Sequence, residues 1–206
     1  MADTQENGSG SDSKSARTRR RILDSAAQVL SNKGYAGLRL SDVADLAEVQ
    51  APAIYYYFSS REDLIEEVMW SGVAELRKHL EEALDKLPDG TTPLDRFSVA
   101  IEEHLRHELD LSNYATASIR NAGQVPQAIR ERQVAEENAY GAIWADILRA
   151  AQSAGEIRGD IDVHTALMLV FGAMNWTSEW WDPERGDIDD LVSTAKAFIL
   201  NGLAGS

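Results

Sequence analysis

Residues 41–58 constrain the fold most strongly, because two short helical patterns stand there with a tight turn between them. In the first pattern Val43, Leu46 and Ala47 recur at helical spacing, and Ser41 is the predicted N-cap. The second pattern opens at Pro52, which suits a first helical turn because its missing N–H would be unpaired there. The segment therefore predicts two short helices that pack at close range.

The second short helix carries more aromatic side chains than one buried face can hold. Ile54 and Phe58 share one face, and Tyr55, Tyr56 and Tyr57 lie between them. We therefore expect two or three of the phenols to face outward. A short helix with exposed rings and hydroxyls, preceded by another helix and a tight turn, is typical of a helix-turn-helix that enters the major groove of DNA.

Residues 17–64 resemble the DNA-binding domain of the TetR family of bacterial transcriptional repressors. The resemblance covers roughly a quarter of the chain, and it rests on segments spread over four predicted helices: Arg21-Ile22-Leu23, Ala26-Ala27, Lys33-Gly34-Tyr35, Leu40 to Ala44, and Ile54 to Leu64. The sequence departs from the family pattern at Glu48, where a glycine often ends the second helix. The glutamate predicts a turn that needs no left-handed residue.

The resemblance and the phase of the third helix predict the DNA contacts. Pro52, Ala53 and Tyr55 are expected to face base edges, where apolar side chains contact thymine methyl groups. The other expected contacts are to phosphates, and they are Arg17, Arg19, Arg20, Arg21, Arg39, Ser41, Tyr56, Tyr57 and Arg61. Arginines are unfavourable at the start of a helix, so the first four indicate an external anion. The alternative is a terminus that only adds solubility.

The charge distribution agrees with a local nucleic-acid contact although the whole chain has a net charge of −14. Residues 14–61 contain eight basic and four acidic residues, which gives a net charge of +4. The acidic excess lies in the rest of the chain. Salt screens it from phosphates more than a Debye length of ~8 Å away. The acidic surface either discourages DNA from binding to the wrong face or has no role beyond solvation.

The rest of the chain predicts an all-α protein of about nine helices, because helical spacing recurs and no alternating strand pattern appears. We expect a disordered N-terminal tail at 1–16, a DNA-binding domain at 17–64 and a ligand-binding and dimerisation domain at 65–206. The chain has no cysteine, no apolar run of membrane-spanning length and no secretion signal, so a cytoplasmic protein is expected.

In the second domain, the resemblance implies that helices at about 163–182 and 187–203 pair with their copies as a four-helix bundle. It also implies a pocket for a small-molecule effector. The expected pocket residues are His104, His107, Tyr114, Arg120, Asn121, Tyr140, Trp144, Trp176 and Trp180. The alternative for the tryptophans is plain core or dimer interface. Residues 175–183 resemble a segment of family members that respond to acyl-coenzyme A thioesters, so fatty-acyl or steroid-acyl thioesters are one hypothesis.

Catalytic and metal signatures do not emerge from the sequence. There is no glycine-rich phosphate loop, no Gly-x-Ser-x-Gly elbow and no His-Glu-x-x-His pair, so neither an enzyme nor a cofactor is expected. His104 and His107 lack a third ligand at suitable spacing, so no metal site is predicted. Two functions remain. One is a dimeric repressor that an apolar or amphipathic effector releases from DNA. The other is a small-molecule-binding or protein-interaction module whose helix-turn-helix domain no longer binds DNA.

Overall fold

The structure is a computed structural model that describes residues 8–109, 113–121 and 123–204. Its α-helices are α1 (Gly8–Gly37), α2 (Leu40–Leu46), α3 (Ala51–Tyr57), α4 (Arg61–Asp85), α5 (Pro93–Leu109), α6 (Asn113–Asn121), α7 (Glu131–Ser153), α8 (Val163–Asn175), α9 (Thr177–Trp180) and α10 (Ile188–Leu203). A 3-10 turn, Gln127–Ile129, precedes α7. Within these ranges no strand occurs, only an isolated bridge between Ile157 and Ala204. The predicted all-α class is confirmed.

Two compact units divide the chain, and the first comprises the described residues up to Ser71 together with Asn113–Arg132. Its core contains residues predicted to be buried on α1 and α3, such as Ile22, Leu30 and Ile54. Helix α6 packs on α1 within this unit. The domain boundary after residue 64 stays a prediction, and the compact unit adds the α6 region to the predicted DNA-binding segment.

The second unit comprises residues 72–112 and 133–206, and its described part has its own apolar core. Helix α10 packs along α5, where Lys196 forms an ion pair with Glu102 and Arg106 donates to Asp189 at 2.6 Å. These contacts hold the last helix against the middle of the unit.

Several helix boundaries differ from the sequence-based expectation. Helix α1 already begins at Gly8, so residues 8–16 are helical where we predicted a disordered tail, and residues 1–7 lie outside the described part of the chain. Extending a helix already held by tertiary contacts adds a hydrogen bond per residue without a new nucleation cost. The predicted helix at 163–181 is interrupted after Asn175, and α9 is a separate single turn.

Within residues 8–109, 113–121 and 123–204, no helix is long and apolar enough to cross a lipid bilayer.

The turn between α2 and α3 corrects the expectation for Glu48. Glu48 has a φ of 53°, so the turn does use a left-handed residue. The Val49 N–H donates to the Ala44 carbonyl at 3.0 Å and the Glu48 N–H donates to the Asp45 carbonyl at 3.2 Å, which is the hydrogen-bond pattern of a Schellman motif. The motif imposes the positive φ on whichever residue stands at its C′ position, and here that residue is not glycine.

Glu48→Gly is therefore expected to stabilise the protein by about 0.5–1 kcal/mol. A non-glycine residue in this conformation costs about 1–2 kcal/mol, and the greater unfolded-state entropy of glycine offsets part of the gain. Thermal denaturation of the variant beside Glu48→Ala, which keeps the strain, measures the effect. Equal stability of the two variants would show that the backbone at this turn is not strained.

Candidate functional site

The outward face of α3 is the clearest exposed feature of the first unit. The side chains of Ile54 and Phe58 are buried, whereas Tyr55 and Tyr56 are 59% and 80% exposed. Tyr57 is half-buried and packs edge-on against Tyr56, with ring centroids 4.9 Å apart. The expectation that two or three phenols face outward is confirmed.

The residues that begin α3 extend the same surface. Pro52 is exposed and Ala53 is half-buried, and the Ala53 N–H donates to the Gln50 carbonyl at 2.8 Å. Proline in the first turn leaves no unpaired donor there, so the start of α3 can approach another surface closely. Together with the tyrosines, these residues give α3 a face with apolar groups at its start and hydroxyls along its length.

The four N-terminal arginines divide into two kinds of environment. Arg17 and Arg21 are exposed on α1. Arg19 instead donates to the Glu67 carboxylate at 2.8 Å and lies 5.0 Å from the centroid of the Phe58 ring. Arg20 is exposed, but it donates to Asp24 at 3.0 Å. The phosphate role of all four stays a prediction.

Glu67 connects three helices of the first unit, which the sequence-based interpretation missed. Its second oxygen accepts from Arg132 at 3.0 Å, and the Arg132 guanidinium lies 4.3 Å from the centroid of a Trp70 ring. Burial raises the pKa of Glu67, but hydrogen bonds from Arg19 and Arg132 outweigh burial and hold the pKa below its ordinary value. The carboxylate therefore stays ionised and ties α1 and the start of α7 to α4.

Arg61 has a structural role beside the phosphate contact predicted for it. Its Nε donates to the Leu38 carbonyl at 3.0 Å, and another N–H donates to the Tyr35 carbonyl. The guanidinium also lies 4.7 Å from the centroid of the Tyr35 ring. These bonds satisfy carbonyls at the end of α1, where the helix has no following turn to supply donors. The phosphate role stays a prediction.

We expect Arg61→Gln to lower the free energy of unfolding by about 1–3 kcal/mol, because part-buried carbonyls lose their donors. Thermal denaturation measures the loss, and Arg39→Gln, a change at an exposed arginine, is the control with an expected effect within about 0.5 kcal/mol. If Arg61→Gln is as stable as the control and only reduces the salt dependence of DNA binding, Arg61 is a phosphate contact and not a structural one.

Helices α8 and α10 present exposed apolar side chains in the second unit. Leu169 is 71% exposed and Phe198 is 78% exposed, and Met168 is half exposed. A groove of about 440 Å³ opens between the two helices, with Leu169, Ala173, Phe198 and Gly202 among its lining residues. We call this the α8–α10 face. Exposed apolar side chains concentrated in this way mark an interaction surface.

A buried aromatic cluster with polar groups lies in the core of the second unit. The His104 imidazole is surrounded by the rings of Tyr140, Trp144 and Phe171, at centroid distances of 5.9–6.0 Å. His104 Nδ1 lies 2.9 Å from the Tyr140 hydroxyl and Nε2 lies 3.0 Å from Asn175 Oδ1. Since an amide oxygen only accepts, Nε2 carries the proton and Nδ1 accepts from the phenol. We call these residues, with Glu108, the His104 cluster.

Burial disfavours the charged forms of the titratable groups in the His104 cluster. Burial lowers the pKa of His104 to about 4 and raises the pKa of Glu108 to about 7. Burial also raises the pKa of Tyr140, and the neighbouring Trp144 indole offsets part of this rise. Near neutral pH the imidazole is therefore uncharged, and Glu108 exchanges readily between its two protonation states.

Only some of the predicted pocket residues come together. His104, Tyr140 and Trp144 form the cluster, and His107 is half-buried beside His79, with ring centroids 5.1 Å apart. Trp176 and Trp180 are both exposed, and their pocket role stays a prediction. Helix α8 ends at Asn175, and Trp176 and Trp180 flank the buried Thr177 of α9.

Tyr114, Arg120 and Asn121 belong to the first unit, and their pocket role stays a prediction. The Tyr114 hydroxyl donates to Asp24 at 2.7 Å, and Arg120 is exposed at the end of α6. Asn121 is fully buried, accepts from the Tyr35 N–H at 2.7 Å and donates to the Ala117 carbonyl at 2.8 Å. The buried side chains of Tyr114 and Asn121 therefore hold α6 on α1.

The sequence contained a signal for one residue that was missed. Phe97, Ile101, His104, Leu105 and Glu108 recur at helical spacing along the buried stripe of α5. A carboxylate in such a stripe lies in the core unless the helix ends first, so Glu108 was identifiable from its position. Phe171 and Asn175 on α8, which contact His104, carried no comparable signal.

Two family models match the chain. The model described as bacterial regulatory proteins of the tetR family matches residues 22–68, and the model described as the tetracyclin repressor-like C-terminal domain matches residues 90–203. The N-terminal family model covers the buried part of α1 together with α2 and α3. The C-terminal family model covers most of the second compact unit. Together they account for the segments on which the resemblance rested and for the region beyond them.

Individual relatives agree with the family models. The HTH-type transcriptional repressor KstR2 of Mycolicibacterium smegmatis is 24% identical over 201 residues, which cover 94% of each chain. Two solved structures share the fold. One is the regulator FadR of Bacillus subtilis in complex with stearoyl-CoA, with a TM-score of 0.75 and 22% identity over 89% of this chain and 98% of that one. The other is AibR in complex with isovaleryl coenzyme A and operator DNA, with a TM-score of 0.78 and 17% identity over 88% of this chain and 96% of that one.

Proposed function

The chain belongs to the TetR family of bacterial transcriptional regulators, and we propose that it represses transcription as a homodimer that a small effector releases from operator DNA. The observation that carries this proposal is the outward face of α3. Exposed tyrosines are costly to leave in water without a partner surface, and here they lie on the second helix of a helix-turn-helix.

The DNA contacts we propose combine base and phosphate interactions. Pro52, Ala53 and Tyr55 face base edges at the start of α3, while Tyr56 and Tyr57 donate their hydroxyls to phosphates. Arg17 and Arg21 on α1, with Arg39 and Ser41 at the start of α2, supply further phosphate contacts, since all four are exposed. The positive charge of this segment favours approach to DNA, whereas the acidic remainder of the chain does not.

The α8–α10 face supports the homodimer. Its apolar side chains are exposed in the single chain, and a second copy related by twofold symmetry would cover them with the same residues. A dimer presents two α3 helices to two half-sites, which raises affinity beyond that of one helix alone.

The effector we propose is an acyl-coenzyme A thioester. Two structures with the same fold contain stearoyl-CoA and isovaleryl coenzyme A, and the second unit of this chain has an aromatic core able to pack against an acyl chain. Release follows if the thioester binds the DNA-free form more tightly than the DNA-bound form.

Fluorescence anisotropy with fragments from the region upstream of the protein's own gene tests the regulator function. The expected result is binding to one fragment at least about a thousandfold tighter than to random DNA at the same salt concentration. Binding no tighter than to random DNA would favour the second function, a ligand-binding module whose head no longer binds DNA.

A further inference from the structure

Gln50 stands directly before α3, at a position whose usual task it does not perform. Its backbone is extended, with a φ of −78° and a ψ of 138°, and its carbonyl accepts from the Ala53 N–H at 2.8 Å. Serine, threonine, aspartate and asparagine are preferred at such a position, because their side chains accept from N–H groups of the first helical turn. The Gln50 side chain makes no hydrogen bond of this kind. A local stabilising contact is therefore missing here.

The amide of Gln50 is exposed and free to bind another molecule. Gln50 is an exposed residue, and among the described residues no hydrogen bond or ion pair engages its side chain. Pro52, Tyr55 and Tyr56 are exposed after it, and Gln50 is the only asparagine or glutamine in residues 41–60. The segment proposed to contact DNA thus contains a single side-chain amide, and the chain does not use it internally.

A side-chain amide is complementary to one base edge in the major groove. It holds an acceptor and a donor in one plane, and adenine presents its N6 amino donor next to its N7 acceptor. The other exposed polar side chains near the start of α3 lack this fixed pair. Glu48 has acceptors only, and Tyr55 and Tyr56 each have one rotating hydroxyl. Gln50 therefore carries the hydrogen-bonding groups that best distinguish one base from the others.

We propose that Gln50 reads an adenine in each operator half-site, donating an amide N–H to adenine N7 and accepting from the N6 amino group. The inference rests on the proposed function, because it assigns a base preference to the surface proposed to contact DNA. It adds a directional contact to the apolar contacts of Pro52 and Ala53. A bidentate contact of this kind discriminates against the wrong base by about 5- to 150-fold in each half-site.

The test is a base-by-base measurement on the operator identified by anisotropy. Each base pair is replaced in turn, in both half-sites at once, and the affinity of the full-length protein is measured at one salt concentration. The wild type is expected to lose about tenfold or more where one A·T pair becomes G·C. In Gln50→Ala that loss is expected to fall below about twofold, with the other positions unchanged. Gln127→Ala removes the same amide from an exposed position before α7 and is expected to keep the whole wild-type profile.

Two further variants separate base reading from a structural role. Arginine is complementary to guanine O6 and N7, so Gln50→Arg is expected to change the favoured base at that position from adenine to guanine. Gln50→Ser supplies a side chain that can accept from the first turn of α3. Its melting temperature is therefore expected to exceed that of the wild type by about 2–4 °C, although the adenine preference is lost.

The remaining outcomes are also decisive. A uniform loss over all sequences in Gln50→Ala would identify a phosphate contact, and an unchanged profile would show no contact. Either result overturns the inference and leaves the regulator function intact, as does Gln50→Arg that still prefers adenine. A lower melting temperature of Gln50→Ser would show that the glutamine stabilises α3 itself, and it too would overturn the inference. If the wild type binds no upstream fragment better than random DNA, the proposed function and the inference fail together.

Discussion

Replacement of Leu169 and Phe198 by glutamate is expected to convert the dimer into a monomer and to lower operator affinity about a hundredfold or more. The side chains of both residues are largely exposed on the α8–α10 face, so the change should leave the folded chain intact. In a twofold interface each new carboxylate meets its own copy or a neighbour of the same sign, which opposes association. Loss of the second α3 helix then removes the gain that comes from binding two half-sites together.

Sedimentation velocity and anisotropy on the same samples measure both effects. Val134→Glu introduces the same charge at an exposed apolar position of α7 and is expected to remain dimeric with unchanged operator affinity. A double variant that is monomeric but binds the operator like the wild type would refute the idea that dimerisation presents the two reading helices. A variant that stays dimeric would place the interface elsewhere.

The double substitution Tyr55→Ala with Tyr56→Ala is expected to lower operator affinity about a hundredfold or more with little change in stability. Each tyrosine supplies ring contact area and one hydroxyl, and two lost contacts of about 1–3 kcal/mol each give an effect of this size. Because both phenols are exposed in the free protein, their removal leaves no cavity in the first unit.

The single changes Tyr55→Phe and Tyr56→Phe separate the two proposed roles. Loss of the Tyr56 hydroxyl should weaken binding to all sequences and reduce the salt dependence, as a phosphate contact requires. Loss of the Tyr55 hydroxyl should alter the preference of the protein among operator base pairs. Anisotropy titrations at several salt concentrations give both readouts. Operator affinity of the double alanine variant within about threefold of the wild type would mean that α3 does not read DNA.

The helix-turn-helix was predictable from the sequence because its signals are local. Pro52 marks the start of α3, and the spacing of Ile54 and Phe58 leaves the tyrosines no room on the buried side. Gly155, with its φ of 74°, likewise follows the end of α7.

Partners distant in the chain were not predictable. Arg61 donates to a carbonyl 23 residues away, and Asn121 accepts from an N–H 86 residues away. Nothing in the residue type of an arginine or an asparagine shows that its hydrogen-bonding groups are used internally. The contacts of Asn121 and Tyr114 with α1 were unreadable from the sequence for the same reason.

Helix ends without a marker caused the other errors. Helix α8 stops at Asn175 with Trp176 as its C-cap, and neither glycine nor proline marks that position. The conformation of Glu48 was also not predictable. The hydrogen bonds of the turn impose a left-handed conformation, which a glutamate in the sequence does not indicate.

A footprint of the wild-type dimer on the selected operator tests the central claim most directly, namely that two exposed α3 faces read one duplex. The account predicts two protected half-sites in inverted orientation, separated by one helical turn of ~34–36 Å or a small multiple, and loss of both in the variant that lacks Tyr55 and Tyr56. A single protected half-site, or protection that survives without those tyrosines, would contradict it.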